Sequence, residues 1–336
     1  MNKKMLSTMV LFLVGFLLFV GIFYSIGISE IISQIKNINI LYFSISFLFV
    51  FSTIIFWSLR WRTFINIGYK VPLTDVIKIL LVGISANNLT PMAKFGGEPL
   101  RAYLLRKIDN VPIETSLATI LSDLTIEFIV SIVFVIISTL LLFFKINPPI
   151  WISIILIIFL LLSFLGICGM IGIYSGKKFI NKIILWLGRR SRRIKKREVK
   201  ILSKYEEFQI IFKKIMKNKR IFSESVLWSI LMKASDILKF VFIFLSLGYK
   251  IDLITIIIII GIGIMLRSIP ATPGALGILE GGWISAFVIM SIPIEIAASV
   301  VFLERLLWFW FLTATGGIIG TKYSISILNQ KNLKDK

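Results

Sequence analysis

Histidine is missing from all 336 residues, and Cys168 is the only cysteine. A lone thiol forms no disulfide within the chain and leaves the redox compartment open. Without histidine, zinc sites of the nitrogen and sulfur kind are excluded, leaving only a carboxylate-bound ion as a metal option. No metal or cofactor is expected. Acidic residues are scarce as well, with 17 Asp+Glu against 38 Lys+Arg and a formal net charge of +21. Such basicity suits nucleic acid, but no recognised nucleic-acid motif accompanies it, and the charge lies in loops beside apolar runs. Membrane topology and anionic headgroups account for it better. Enzyme signatures are absent too: there is no HExxH, P-loop, GxSxG or Rossmann fingerprint. No extramembrane segment is long enough to bind a nucleotide donor. The chain is therefore not expected to be an enzyme, with an intramembrane lipid-modifying transferase using paired carboxylates kept as an alternative.

Apolar residues are what the chain has in excess. They make up 57% of it, and mean hydropathy is +0.93, so the bilayer is the solvent for most of the chain. The fold class expected is an all-α polytopic membrane protein with about six full spans and two re-entrant or broken helical hairpins. The whole of 1–336 forms a single membrane domain. Residues 1–38 give a first, uncleaved span and an outer loop, and 39–144 a first repeat. Residues 145–225 give a linking span and basic loop, 226–320 a second repeat, and 321–336 a tail. Arg60-Trp61-Arg62, at the end of the second apolar run, has the form of an inside anchor with an interfacial aromatic. Residues 177–220 hold seventeen Lys/Arg and three Asp/Glu, or +14 of the net charge. The positive-inside rule then puts this loop, the N-terminus and the C-terminus in the cytoplasm of a multi-pass cell-membrane protein.

Two stretches break the apolar pattern. Residues 267–280 read RSIPATPGALGILE, and residues 87–101 read NNLTPMAKFGGEPLR. Proline removes a backbone donor and glycine loosens a helix, so Thr90, Pro91, Gly96 and Gly97 mark one tip. Pro270, Thr272, Pro273 and Gly274 mark the other. Irregular backbone at bilayer depth is tolerated only inside protein or beside a watered cavity.

The two stretches fall into register. Gly68-Tyr69-Lys70 recurs as Gly248-Tyr249-Lys250 after 180 residues, while Thr90-Pro91 and Glu98 recur as Thr272-Pro273 and Glu280 after 182. Val111-Pro112-Ile113-Glu114 recurs as Ile292-Pro293-Ile294-Glu295, and Asp123 falls on Glu304, both at 181. The span count makes the first hairpin open to the cytoplasm and the second to the exterior. An inverted repeat is therefore expected, an architecture transporters build around discontinuous helices.

Charges at bilayer depth cost at least ~2.5–3.5 kcal/mol each on insertion scales, so they are functional candidates. Lys94, Glu98, Arg101, Asp123, Arg267, Glu280, Glu304 and Arg305 form the expected substrate-binding set. Arg101, Arg267 and Lys94 suit a phosphate, because a guanidinium fork matches its oxygens. Arg305 is expected to face Glu280 or Asp123. Asp123 and Glu127 share a helix face, and Lys233 with Asp236 has the spacing of a structural pair. Gly316 and Gly320 have the spacing of close helix packing.

The two tips and the Glu304-Arg305 pair resemble the lysylphosphatidylglycerol synthase transmembrane, or flippase-like, family, over about residues 5–322. That resemblance implies a polytopic domain that moves lipids with charged or glycosylated headgroups between leaflets. No counterpart of the synthase's cytosolic catalytic domain is expected, so aminoacyl transfer is not implied. Leu124 follows Asp123 where the family pattern has an arginine. The function expected is a lipid flippase with a central polar cavity, and an ion-coupled carrier of a small solute is the alternative. Expected partners are membrane lipids with anionic or glycosylated headgroups, with a homo-oligomer and a cytosolic enzyme as further candidates, and no nucleic acid.

Overall fold

The computed structural model describes residues 3–90, 96–146, 148, 150–175, 198–269 and 271–334. All regular structure among them is helical. Four described helices are long and apolar enough to cross a membrane: Ser7–Ile26, Ile40–Ile65, Ile113–Lys145 and Ile294–Ile325. Their outer faces carry bare apolar side chains such as Leu17, Leu48 and Phe144, as expected where lipid rather than water is the solvent.

Helix α1 (Lys3–Ile26) leads into a short helix α2 (Ile28–Lys36) where the sequence suggested an outer loop. Ile28, Ile31, Ile32 and Ile35 give α2 an apolar stripe at helical spacing, and Ile31 is buried. Helix α3 (Ile40–Ile65) begins at Asn39, whose side chain accepts from the Tyr42 amide. It runs straight through the proposed anchor, and Arg60 and Trp61 are completely buried. That corrects the interfacial assignment.

The first hairpin consists of α4 (Leu73–Leu89) and α5 (Glu98–Asp109). Asn110, in the left-handed region at φ 54°, and Pro112 then turn the chain into α6 (Ile113–Lys145). Helices α7 (Ile150–Ser175) and α8 (Glu198–Lys217) pack on α6. Helix α9 (Lys219–Ser246) begins at Asn218, which accepts from the Ile221 amide. The second hairpin consists of α10 (Leu253–Arg267) and α11 (Ile278–Ile289), followed by Ser291 at φ 63° and Pro293. Helix α12 (Ile294–Arg305) continues through a π-turn (Leu306–Trp310) into α13 (Phe311–Lys334). At 1.5 Å per residue, the 12-residue limbs α5 and α11 reach about 18 Å, well short of a hydrocarbon core of about 30 Å.

Three helix pairs hold the bundle together: α3 with α9, α4 with α13, and α6 with α10. Lipid tails are as apolar as leucine, so close backbone approach and interhelical hydrogen bonds carry the packing. Gly316 of α13 lies so near α4 that a Cβ there would sit 2.1 Å from the Leu81 carbonyl oxygen. Ser85 donates to the Thr313 carbonyl at 2.9 Å. In the matching pair, Gly261 faces Ser138, which donates to the Ile257 carbonyl at 2.9 Å.

Candidate functional site

The first charged cluster is built around Arg60. Its Nε donates to Asp123 at 2.8 Å, and its Nη1 donates to Glu127 at 2.6 Å and to Ser229 at 2.8 Å. One turn earlier on α3, the Trp57 indole donates to the other Asp123 oxygen at 2.9 Å. Arg101 arrives from α5 and donates to that same oxygen at 3.1 Å. Its guanidinium carbon lies 4.0 Å from the Trp61 ring centre, within cation–π range. Lys233 of α9 donates to Glu127 at 3.1 Å. Glu98, at the start of α5, lies 3.9 Å from Arg101 Nη1. Three cations thus face three carboxylates, which is how charge becomes tolerable at depth.

Arg101 has room because of two glycines. A Cβ on Gly83 would sit 2.6 Å from Arg101 Cγ, and one on Gly97 would sit 2.1 Å from the Gly83 carbonyl oxygen. Asn87 closes this tip by accepting from the Gly97 amide at 2.6 Å and donating to Glu98 at 3.3 Å.

In the second cluster, Glu304 is the shared carboxylate. Lys239 donates to it at 3.1 Å and Arg267 at 3.3 Å. Lys239 also donates to Asp236 at 3.5 Å and lies 4.8 Å from the Trp308 ring centre. Arg267 lies 5.2 Å over Trp283. Arg305 points elsewhere: its Nε is 2.5 Å from Glu280, and its Nη2 donates to the Gly274 carbonyl at 2.9 Å. Glu280 in turn accepts from the Gly277 amide at 2.7 Å, closing the N-terminus of α11. Gly274, at φ 59°, packs on Phe309 of the π-turn and faces the Asn88 carbonyl of the first hairpin. The second tip therefore abuts the end of α4, where Asn88 donates to Thr313 at 2.8 Å.

Of the expected binding set, Glu98, Arg101 and Asp123 meet in the first cluster, and Arg267, Glu280, Glu304 and Arg305 meet in the second. Arg305 takes Glu280, one of its two expected partners. Lys94, Pro91, Pro270 and residues 177–197 of the basic run lie outside the described residues. Thr90 and Thr272 hold their tips through bonds to the Ala86 and Leu276 carbonyls. Gly96 lies against the Thr90 side chain, and Pro273 opens a short 3₁₀ turn over Pro273–Ala275. The expected Lys233–Asp236 pair does not form: Lys233 reaches across to Glu127, and Asp236 pairs with Lys239. Arg60, Lys239, Trp57 and Trp61 were missing from the set. Their signal was present, since Arg60 and Lys239 lie 179 residues apart, close to the offsets of the other matches.

Comparison with known proteins agrees with this architecture. The family model described as "Lysylphosphatidylglycerol synthase TM region" matches residues 6–316. A UPF0104 membrane protein of Pyrococcus horikoshii is 29% identical, covering 93% of this chain and 96% of its own. UPF0104 membrane proteins of Methanothermobacter thermautotrophicus and Methanocaldococcus jannaschii are each 28% identical. Those alignments cover 97% and 95% of this chain, and 98% and 95% of theirs.

Proposed function

The chain belongs to the family of the lysylphosphatidylglycerol synthase TM region, and from that premise we propose that it moves a phosphate-bearing lipid headgroup between leaflets. One observation carries this reading. Arg101 is 1% exposed, yet its Nε and Nη1 have no hydrogen-bond partner among the described residues. A buried guanidinium with unused donors, stacked on Trp61, has the chemistry that fits phosphate oxygens. Arg267, whose side chain is 34% exposed, is the corresponding contact in the second half. Acyl or isoprenoid tails stay in the bilayer while the headgroup passes between the tips.

The two halves are read as inverted copies. The matched caps at Asn39 and Asn218, the left-handed Asn110 and Ser291, and the helix-starting Pro112 and Pro293 support that relation. So does the interchange of partners, since α4 packs on α13 as α10 packs on α6. Equivalent halves facing opposite ways supply the two states of similar energy that alternating access requires. In this scheme the structure, with Asp123, Glu280 and Glu304 fully buried, is a closed intermediate.

The test is transport by the full chain in liposomes containing fluorescent phosphatidylglycerol or a labelled polyprenyl-phosphate sugar. At least one lipid should cross faster than in empty vesicles, and Arg101→Ala and Arg267→Ala should abolish the difference. Movement of neither lipid, together with wild-type behaviour of both variants in cells, would overturn the proposal.

A further inference from the structure

We propose that Arg60 and Lys239 are positioning residues: each holds the shared carboxylate of its half permanently, so that the hairpin arginine beside it can be released to a ligand. This rests on the headgroup reading above and says how that site opens. Asp123 bridges Arg60 on a long helix and Arg101 on a hairpin limb. Glu304 bridges Lys239 on a long helix and Arg267 on a hairpin limb.

The two members of each pair are held unequally. Arg60 makes three bonds of 2.6–2.8 Å to three different side chains and has no exposed surface. Among the described residues Arg101 makes one hydrogen bond, at 3.1 Å, with Glu98 a further 3.9 Å from its Nη1, and two of its nitrogens have no hydrogen-bond partner against one for Arg60. In the second half, Lys239 is 2% exposed and bonds both Glu304 and Asp236, whereas Arg267 makes a single 3.3 Å bond and is a third exposed.

The asymmetry matters because a buried carboxylate resists losing its last cation far more than one of two. With Arg60 in place, Asp123 keeps a guanidinium and the Trp57 indole when Arg101 leaves. Without Arg60, Asp123 would clamp Arg101 and shut the site. The fixed cation touches no ligand in this scheme and acts only by weakening the hold on its neighbour.

Site-resolved modification of arginines by phenylglyoxal, with the full chain in lipid nanodiscs, reads this release directly. Arg267 should label fastest, Arg101 more slowly as the hairpin opens, and Arg60 not at all. Arg60→Gln should slow labelling of Arg101 by about tenfold, within the range for coupled neighbours. Adding Asp123→Asn to Arg60→Gln should restore or exceed the wild-type rate, and that neutral pair keeps the test available if Arg60→Gln alone fails to fold. Lys239→Gln should slow Arg267 by a smaller factor. If Arg60 labels as fast as Arg101, or if Arg101 labels at the wild-type rate in Arg60→Gln, the positioning role is overturned. If Arg60→Gln does not fold, slower-than-wild-type labelling of Arg101 in the double variant overturns it. Protection of Arg101 by dihexanoyl phosphatidylglycerol is a separate readout. Arg60-dependent labelling with no such protection would uphold the positioning role and remove the phosphate reading.

Discussion

Asp123 and Glu304 stand 181 residues apart, and each joins a long helix to a hairpin, yet their surroundings differ. In the first half, Gly83 clears a slot that Arg101 fills from the exit limb of the hairpin. In the second, Gly263 clears a similar slot, but Trp283 fills it, and a Cβ on Gly263 would sit 2.5 Å from its Nε1. The cation of that half comes instead from the entry limb, as Arg267, and rests on the Trp283 face. One slot holds charge and the other holds an aromatic platform for charge. The first cluster is therefore sealed, while the second keeps one cation partly in the open. On the proposed inverted relation, the difference teaches that two halves can share a bridging carboxylate while placing their second cation on different hairpin limbs, one buried and one partly exposed.

The comparison breaks most decisively if the halves do not face opposite ways. After Cys168→Ala, single cysteines at Thr90 and Thr272 should label with an impermeant thiol reagent from opposite faces of the membrane. Labelling of both from one face alone would end the inverted relation. Next in size is the loss of the fixed cations. Arg60→Gln leaves two buried carboxylates short of a partner and should cost about 3–5 kcal/mol, read as a large drop in melting temperature in detergent. Lys239→Gln should cost less, because its bonds are longer, at 3.1 and 3.5 Å, and one of its two carboxylates, Asp236, is 22% exposed. Equal losses would erase the asymmetry.

The glycine slots should also separate. Gly263→Ala pushes into the rigid Trp283 and should cost about 1–3 kcal/mol, as overpacking does. Gly83→Ala meets the flexible Arg101 stem, so it should unfold the chain less and, under the proposed function, slow lipid movement more. Smallest are the effects at the hairpin bases. Burial, and then the charge of Asp75, push Asp109 up to about 6. Since this lies above the ordinary 3.8, its contribution is present at low pH and lost as pH rises through about 6. Asp109→Asn should therefore stabilise the protein at pH 7.5 and change nothing below pH 3.8. Asp252 has the opposite sign. Burial pushes it up, but hydrogen bonds from Lys145 and the Thr255 amide outweigh that and hold it at about 2. Its contribution is present above the ordinary 3.8 and lost as pH falls through about 2. Asp252→Asn should cost under about 1 kcal/mol at neutral pH, the scale of an exposed ion pair. Matching pH profiles for the two variants would remove the contrast.

The hairpins were legible in the sequence because proline and glycine act locally: Thr90, Gly97, Thr272 and Gly274 shape the backbone where they stand. That Arg305 needs a partner other than Glu304 was legible too, because sequence neighbours cannot satisfy one another on a helix, but the choice of Glu280 over Asp123 was not. Arg60 was misread because basic residues at the end of an apolar run normally mark a membrane surface. Its partners lie 63 and 67 residues away, beyond any local rule. Lys233 and Asp236 misled for the related reason that helical spacing permits a pair without requiring one. Only the offset between the halves could have joined Arg60 to Lys239.

The π-turn at Leu306–Trp310 bears on how this chain tolerates changes in length. A wide turn places one residue more in the helix than α geometry would, so it resets the angular phase between α12 and α13 by about 100°. Glu304 and Arg305 lie before it, while Thr313 and Gly316 lie after it. Deleting one residue from this turn would let an ordinary helix form with the charged pair and the α13 face in their present relation, whereas straightening the turn at unchanged length would swing Glu304 and Arg305 by about 100° away from the second tip. The segment can therefore lose one residue here without redirecting its charges, and it is the width of the turn that sets which way they point.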